Sequence, residues 1–395
     1  MKKTLIALAA VAATGAAFAQ STVALSGTFD LSVQNAKNDV GSATSMSKNG
    51  MASSRIQFAG TEDLGGGMKA NFTCDTTLTP NAGVAYASAS ASASATTSFC
   101  DRIGLVGVQG GFGRVDLGGD YTPLFRITGI ADPFGTNGVG SWYNLGGVIA
   151  RGVDLATTSI SSGVYVQGLT NASLASPWYA SAAAASAASG ARLTESVASV
   201  NAARANNTIT YSTPVFNGVQ AVAMYMVDGN ASTNTTGKLG AGTSLRVRYD
   251  AGPLTLAVGT QTIKHGVTTT TTANVGTTIL AGSYDFGVAK ATFGYQTQKL
   301  ESLKGTDTIL GLIVPMGANT IKASYAIKSV DTANSTGEFG AKQLALGIAH
   351  ALSKRTDVYA QYARVTNDAN AQYGVLTPTA GSSATAYQVG VRHAF

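Results

Sequence analysis

From Gln20 onward, apolar and polar residues alternate with period two in one segment after another. Over residues 22–33, Val23, Leu25, Phe29, Leu31 and Val33 share one face, and Thr22, Ser26, Thr28, Asp30 and Ser32 share the other. Over 244–250, Leu245, Val247 and Tyr249 alternate with Arg246 and Arg248; over 320–328, Ile321, Ala323, Tyr325 and Ile327 alternate with Lys322, Ser324 and Lys328. Leu344, Leu346 and Ile348 continue the theme. This period belongs to β-strands with one apolar and one polar face. Some segments, such as 219–227, are apolar on both faces and carry the pattern only weakly.

Alternation alone fits a soluble sandwich as well as a membrane barrel, so the connections decide. Seven are short and turn-like, at 62–67, 109–113, 213–218, 250–253, 285–287, 315–319 and 351–356. Between them lie eight longer polar segments, at about 36–52, 76–99, 122–203, 228–241, 266–274, 299–305, 330–340 and 366–382. Strict alternation of short and long places all the turns at one end and all the loops at the other. The chain is therefore expected to be all-β: a transmembrane antiparallel β-barrel of sixteen strands, with short periplasmic turns and long extracellular loops.

Composition agrees with that expectation. Charged residues are 12%, about half the globular norm of about 25%, while hydrophobic residues are only 45%. A sheet with one lipid face and one wet face averages out in this way. After the leader, no run approaches the roughly 20 apolar residues of a membrane-spanning helix. The leader is a positive start (Lys2, Lys3), an apolar run 4–14 and the small-x-small site Ala17-Phe18-Ala19. These read as a signal peptide over residues 1–19, with a single barrel domain over 20–395. The formal charge of +6 includes Lys2 and Lys3, and the chain lacks the dense basic clusters of a nucleic-acid binder.

Three stretches and the ending resemble a known family. They are residues 54–67 (Ser-Arg-Ile-Gln-Phe-Ala-Gly-Thr-Glu-Asp-Leu-Gly-Gly-Gly), 112–118 (Phe-Gly-Arg-Val-Asp-Leu-Gly), Tyr121-Thr122-Pro123, and 389–395 (Val-Gly-Val-Arg-His-Ala-Phe). The chain resembles the general porins of Gram-negative bacteria, in particular the beta-proteobacterial, Burkholderia/Neisseria-like group. The resemblance implies a homotrimer and a third loop, beginning after Tyr121-Thr122-Pro123, that folds into the lumen and narrows it. The ending, with Tyr387, Val389, Val391, His393 and Phe395 on alternate positions, resembles the signal read by the barrel-assembly machinery. Two departures stand out. Gly119 replaces an Arg usual in the family, removing one basic wall residue, and the third-loop region 122–203 is unusually long. Its Ala/Ser-rich stretch 180–191 leaves a surface excursion and an extra constriction both open.

The phase of the strands assigns Arg55, Lys69, Arg102, Arg114, Arg246, Arg248, Lys290, Lys322, Lys328 and Arg392 to the lumen. A charge on the lipid face at mid-membrane costs roughly 2–4 kcal/mol, which favours the same assignment. Arg55, Arg102, Arg246 and Arg248 are placed at middle or upper height. Asp120, Asp132 and Asp154 are expected on the loop side as opposing acids, giving a transverse field across the constriction. Cys74 and Cys100 flank the second loop, and outside the cytoplasm such a pair is most simply a disulfide, although the two appear out of phase on their strands. Asp75 and Asp101 beside them lack metal-ligand spacing, so no metal or other cofactor is expected. His265, His350 and His393 show no catalytic Ser/His/acid arrangement. The Gly-rich pieces 65–67 and 110–113 belong to turns rather than to phosphate loops.

These readings converge on a non-enzymatic outer-membrane pore for ions and small hydrophilic solutes, weakly to moderately anion-selective. Its neighbours are expected to be outer-membrane lipid and lipopolysaccharide. The rival readings are a substrate-selective channel, a plugged barrel acting as an adhesin or surface receptor, and an outer-membrane hydrolase.

Overall fold

The computed structural model describes residues 22–82, 99–146, 203–227, 240–266, 272–300, 303–332 and 337–395. The stretch 1–19, read above as a signal peptide, the Ala/Ser-rich segment 180–191 and Asp154 lie outside the described residues. Within them the chain forms β1 (Thr22–Lys37), β2 (Ser42–Lys48), β3 (Arg55–Gly65), β4 (Met68–Thr77), β5 (Ile103–Gly110), β6 (Gly113–Tyr121) and β7 (Arg204–Ser212). There follow β8 (Val219–Met226), β9 (Gly242–Ala251), β10 (Leu254–Gly266), β11 (Thr272–Asp285), β12 (Lys290–Leu300) and β13 (Leu303–Met316). The last are β14 (Asn319–Thr332), β15 (Ala341–Ala351), β16 (Thr356–Asn367) and β17 (Ala384–Ala394). Two short helices, α1 (Phe125–Ala131) and α2 (Tyr143–Gly146), follow β6.

β1 pairs with β17 on one side. On the other side, its upper half pairs with β2 and its lower half with β3. β2 and β3 are thus two pieces of one stave, and the sheet closes as a sixteen-stranded antiparallel barrel. At the seam, Gly27 and Phe395 exchange backbone hydrogen bonds of 3.0 and 3.1 Å. The Phe395 ring lies where a Cβ on Gly27 would sit. The β1–β17 and β1–β3 ladders close the ring, the condition for a sheet to stand in lipid, while β2, toward the loop end, is paired on its β1 side. Val23, Leu25, Val106, Leu117, Val258, Leu280, Leu310 and Val389 face outward, while Asp30, Ser32, Gln34, Gln261 and Gln298 are buried inside.

Two connections differ from the sequence expectation. Most of 36–52 is strand: β1 and β2 pair from Leu31↔Lys48 to Lys37↔Ser42 around a tight turn at 38–41. The Asn38 carboxamide oxygen closes that turn by accepting from the amides of Val40 and Gly41, both at 2.9 Å. Most of β2 is exposed, so nothing imposes an apolar face there and the period-two signal is lost. Likewise β12 and β13 stay paired as far as Leu300↔Leu303, leaving 301–302 between them.

Between β2 and β3 the stave folds inward over 49–54, with Asn49 at a φ of 66°. Asp30 holds this fold, accepting from the amides of Gly50, Met51 and Ala52 at 3.1, 2.7 and 2.7 Å and from the Tyr359 hydroxyl at 2.5 Å.

After Tyr121 the chain leaves the wall and crosses the lumen. The spacing of Leu124, Ile127 and Ala131 gives α1 one apolar face, and these residues pack with Trp142 and Leu145 on Ala257, Ile279, Ala281, Ile309 and Ala326 of the wall. Farther along, Phe134 and Val139 sit on Ala345, Ala363 and Ala386. Small wall residues make room for this chain. A Cβ on Gly311 would lie 2.3 Å from Pro133 Cγ, and one on Gly294 would lie 2.6 Å from the Ala131 Cβ.

Glutamines of the wall satisfy the crossing backbone. Gln296 and Gln298 donate to the Gly146 carbonyl, each at 2.8 Å, and Gln343 donates to the carbonyl of Ser141 at 2.9 Å. Gln388 accepts from the Val139 amide at 3.1 Å. Gln361 donates to the Gly50 carbonyl at 2.7 Å, and the neighbouring Asn49 carbonyl accepts the Gly138 amide at 3.0 Å. The described part of the third loop therefore lies along β10–β17, and its residues near Gly138 meet the inward fold of the second stave.

Gly311→Ala is expected to destabilise the folded barrel by about 1–3 kcal/mol, because the wall has no room for the added methyl. Urea unfolding of the refolded protein checks this; an unchanged midpoint would contradict the close seat.

Candidate functional site

With one side of the lumen occupied by the third loop, a cavity of about 820 Å³ remains against β3–β9. Five basic side chains line it (Arg55, Lys69, Arg114, Arg126 and Arg246) against two acidic ones, Asp116 and Asp120. Gln57, Thr73 and Thr210 complete a polar wall.

Each charge is set by its strand and its partners. Arg55 stands at the start of β3 and bridges to Asp75 on β4 at 3.0 Å. Arg114 and Asp116 lie two apart on β6, on the same face, and pair at 2.7 Å. Arg246 of β9 reaches Gln220 on β8 at 3.4 Å and has no ion-pair partner among the described residues. At the root of the third loop, Asp120 accepts two hydrogen bonds from the Arg126 guanidinium, at 2.7 and 2.9 Å.

Several sequence expectations change here. Asp132 does not line the pore. It is buried, and its carboxylate accepts from the amides of Phe134, Thr136 and Trp142 at 2.9, 3.0 and 3.0 Å and from the Ser141 hydroxyl at 3.2 Å. Burial pushes its carboxyl above the usual range, while those donors pull the other way. It acts as the internal brace of the loop.

Arg102 does not line the pore either. Its side chain is 4% exposed, lies 3.5 Å from Asp75 and donates to the Tyr121 hydroxyl. Arg248 faces the lumen but belongs near the short-turn end, held by Asp250 at 2.7 and 2.8 Å just before the turn. Lys328 points inward as expected, yet it is sealed beneath the third loop, paired with Asp307 at 2.9 Å. Arg392 pairs with Asp357 at 2.6 Å. The acids expected to oppose a basic wall are thus an internal brace (Asp132), a paired group (Asp120) and Asp154, outside the described residues.

Cys74 and Cys100 are joined by a disulfide, with Cα atoms 4.7 Å apart. Cys100 lies in a turn before β5, with a φ of 67°, so strand phase does not apply to it. Asp75 is engaged with Arg55 and Arg102. Asp101 accepts from the Thr77 amide and hydroxyl at 2.7 and 2.6 Å. Among the described residues no cluster of potential metal ligands occurs. His350 contacts Asn319 and His393 contacts Thr356, both near the short-turn end.

Arg126 is the residue that strand phase could not supply, because it stands on α1 rather than on the wall. The signal was the helical spacing of Leu124, Ile127 and Ala131, which turns Arg126 away from the buried face.

The comparisons agree with this architecture. A family model described as Gram-negative porin matches residues 4–370. Outer membrane porin protein 32 of Delftia acidovorans is 32% identical over the full length of both chains. An outer membrane porin protein of Bordetella pertussis is 24% identical, again over both full lengths. Among solved structures, an anion-selective porin from Comamonas acidovorans superposes with a TM-score of 0.73 at 28% identity, covering 95% of this chain and 100% of its own. The closed sixteen-stranded barrel is the form this chain shares with its structural neighbour, and the chain belongs to the Gram-negative porin family of the outer membrane.

Proposed function

We propose that this outer-membrane porin passes small hydrophilic solutes and ions by passive diffusion, with a preference for anions, and carries no catalytic activity. The observation behind the preference is the cavity wall, with five bases against two acids and Arg246 without an acidic partner among the described residues. The related Comamonas acidovorans porin is described as anion-selective, which supports the same sign. Bases stand both on the wall and on the loop, so the field favours anions rather than running from a basic side to an acidic one.

The assembly reading is a homotrimer, inserted by the barrel-assembly machinery after removal of residues 1–19. An apolar outer face beside the seam supports it: Val23, Leu25 and Val389 are exposed there, with the Phe395 ring over Gly27 and the Phe72 ring over Gly60. Lipopolysaccharide fits the opposite requirement, a charged rim. Lys342 of β15, Arg364 of β16 and, across β17, Lys37 of β1 face outward near the loop end, above the Tyr362–Tyr387 ring pair. Cations above an aromatic belt suit anionic headgroups.

Planar-bilayer recording under a salt gradient is expected to give stepwise conductance with an anion-favouring reversal potential. A cation-favouring potential contradicts the charge assignment, and saturable block by one solute favours a substrate-selective channel. Folded protein without conductance points to a plugged, adhesive barrel.

A unit charge about 8 Å from a permeating ion in water contributes about 0.5 kcal/mol. The energy has opposite signs for an anion and a cation, so removing the charge shifts their difference by about 1 kcal/mol, and Arg246→Gln is expected to lower the anion-to-cation permeability ratio by about fivefold. Asp120→Asn, which removes the acid beside Arg126, is expected to raise it by a similar factor.

A further inference from the structure

Tyr121 ends β6 at the point where the chain turns from the wall into the lumen. Three guanidinium groups gather round its ring. The Arg126 and Arg204 centres each lie 5.5 Å from the ring centroid, and that of Arg102 lies 5.8 Å away. They come from three separate places: Arg102 precedes β5, Arg126 sits on α1 and Arg204 opens β7. Phe125 stacks on the same ring, with centroids 5.3 Å apart and planes inclined by 12°. Like charges repel, so such a gathering needs compensation. The negative face of an aromatic ring supplies part of it, and the Tyr121 hydroxyl accepts a hydrogen bond from Arg102.

The three guanidiniums differ in what they can reach. Arg102 is buried against Asp75, and Arg204 reaches the Asp101 carbonyl at 3.4 Å. Arg126, 43% exposed at its side chain, lines the cavity together with Tyr121 and Asp120. It is thus the one of the three that a passing solute meets directly. Two groups fix it: the Asp120 carboxylate at its edge and the Tyr121 ring beneath it. An arginine on a short exposed helix otherwise keeps most of its rotamer freedom, spreading its charge over several ångströms of the lumen.

We infer that Tyr121 is a specificity-determining positioning residue of the pore: its ring holds the Arg126 guanidinium at the cavity wall. The inference rests on the anion-selective reading, and the wild-type reversal potential tests that reading separately. The Tyr121 variants are scored only as changes relative to wild type.

The experiment compares permeability ratios from reversal potentials for wild type, Tyr121→Phe, Tyr121→Leu, Arg126→Gln and the double variant Tyr121→Leu/Arg126→Gln. Heat resistance and single-channel conductance of each report folding. Tyr121→Phe keeps the ring and is expected to retain the wild-type ratio. Tyr121→Leu is expected to lower the ratio at least about twofold, the scale of one cation–π contact. The double variant is expected to match Arg126→Gln, because the ring acts through that side chain. Should Tyr121→Leu not fold, a trifluorinated phenylalanine at 121 keeps the shape while weakening the ring's negative face, and its ratio is expected to fall below that of Tyr121→Phe. A purely structural role leaves the fluorinated and plain rings equal. That equality overturns the inference, as does a folded Tyr121→Leu with the wild-type ratio or a double variant whose losses add.

Discussion

A polypeptide that crosses the inside of a barrel carries its amides and carbonyls away from the sheet, and each needs a partner where it lands. Here the partners come from two directions. Within the loop, the Asp132 carboxylate gathers three amides and a hydroxyl, tying residues 132–142 into one body. From the wall, Gln296, Gln298, Gln343 and Gln388 meet the backbone at successive points, and Thr292 donates to the Ala131 carbonyl at 2.7 Å. Without these contacts, the unpaired groups would cost on the order of 1–3 kcal/mol each. The position of everything else in the lumen follows from this satisfied seat.

The consequence is a lumen with two unlike halves. Along β10–β17 the loop packs on a wall paved with alanine and glycine, and it covers the Lys328–Asp307 pair, whose side chains are both 0% exposed. A buried pair of this kind adds little net stability, yet removing one partner strands a charge. Along β3–β9 the wall stays polar and the cavity remains, so the charges that face it act through water. The same residue type thus has opposite meanings on the two sides: Lys328 is part of the seat, whereas Arg246 is part of the path.

Much of the barrel was legible in the sequence, because lipid on one side and water or polar packing on the other enforce period two over most strands. The strand reading weakened where that contrast vanishes. β2 is wet on both faces, and in β8 Val222, Met224 and Met226 turn apolar groups inward. The candidate site was less legible. Phase assigns residues to the lumen, and Arg55, Arg114 and Arg246 line the cavity in the structure, but phase carries no information about what covers a residue. Lys328 looks like a wall charge in the sequence until the third loop is laid over it and its partner Asp307. Asp132 looked like a pore acid because it is a carboxylate on a lumenal loop, yet the turns that follow it supply four donors and draw it inward.

Cysteine accessibility measures the division of the lumen directly. The two native cysteines are bonded to each other, so engineered thiols report without background. Gln57→Cys and Ser212→Cys place a thiol on the open wall, and Ala281→Cys and Ala326→Cys place one beneath the third loop. The first pair is predicted to react quickly with charged thiol reagents, faster with an anionic than with a cationic one, while the second pair stays protected in the folded barrel. Equal labelling around the circumference, or faster labelling of the open wall by the cationic reagent, would contradict the loop seat or the basic path beside it.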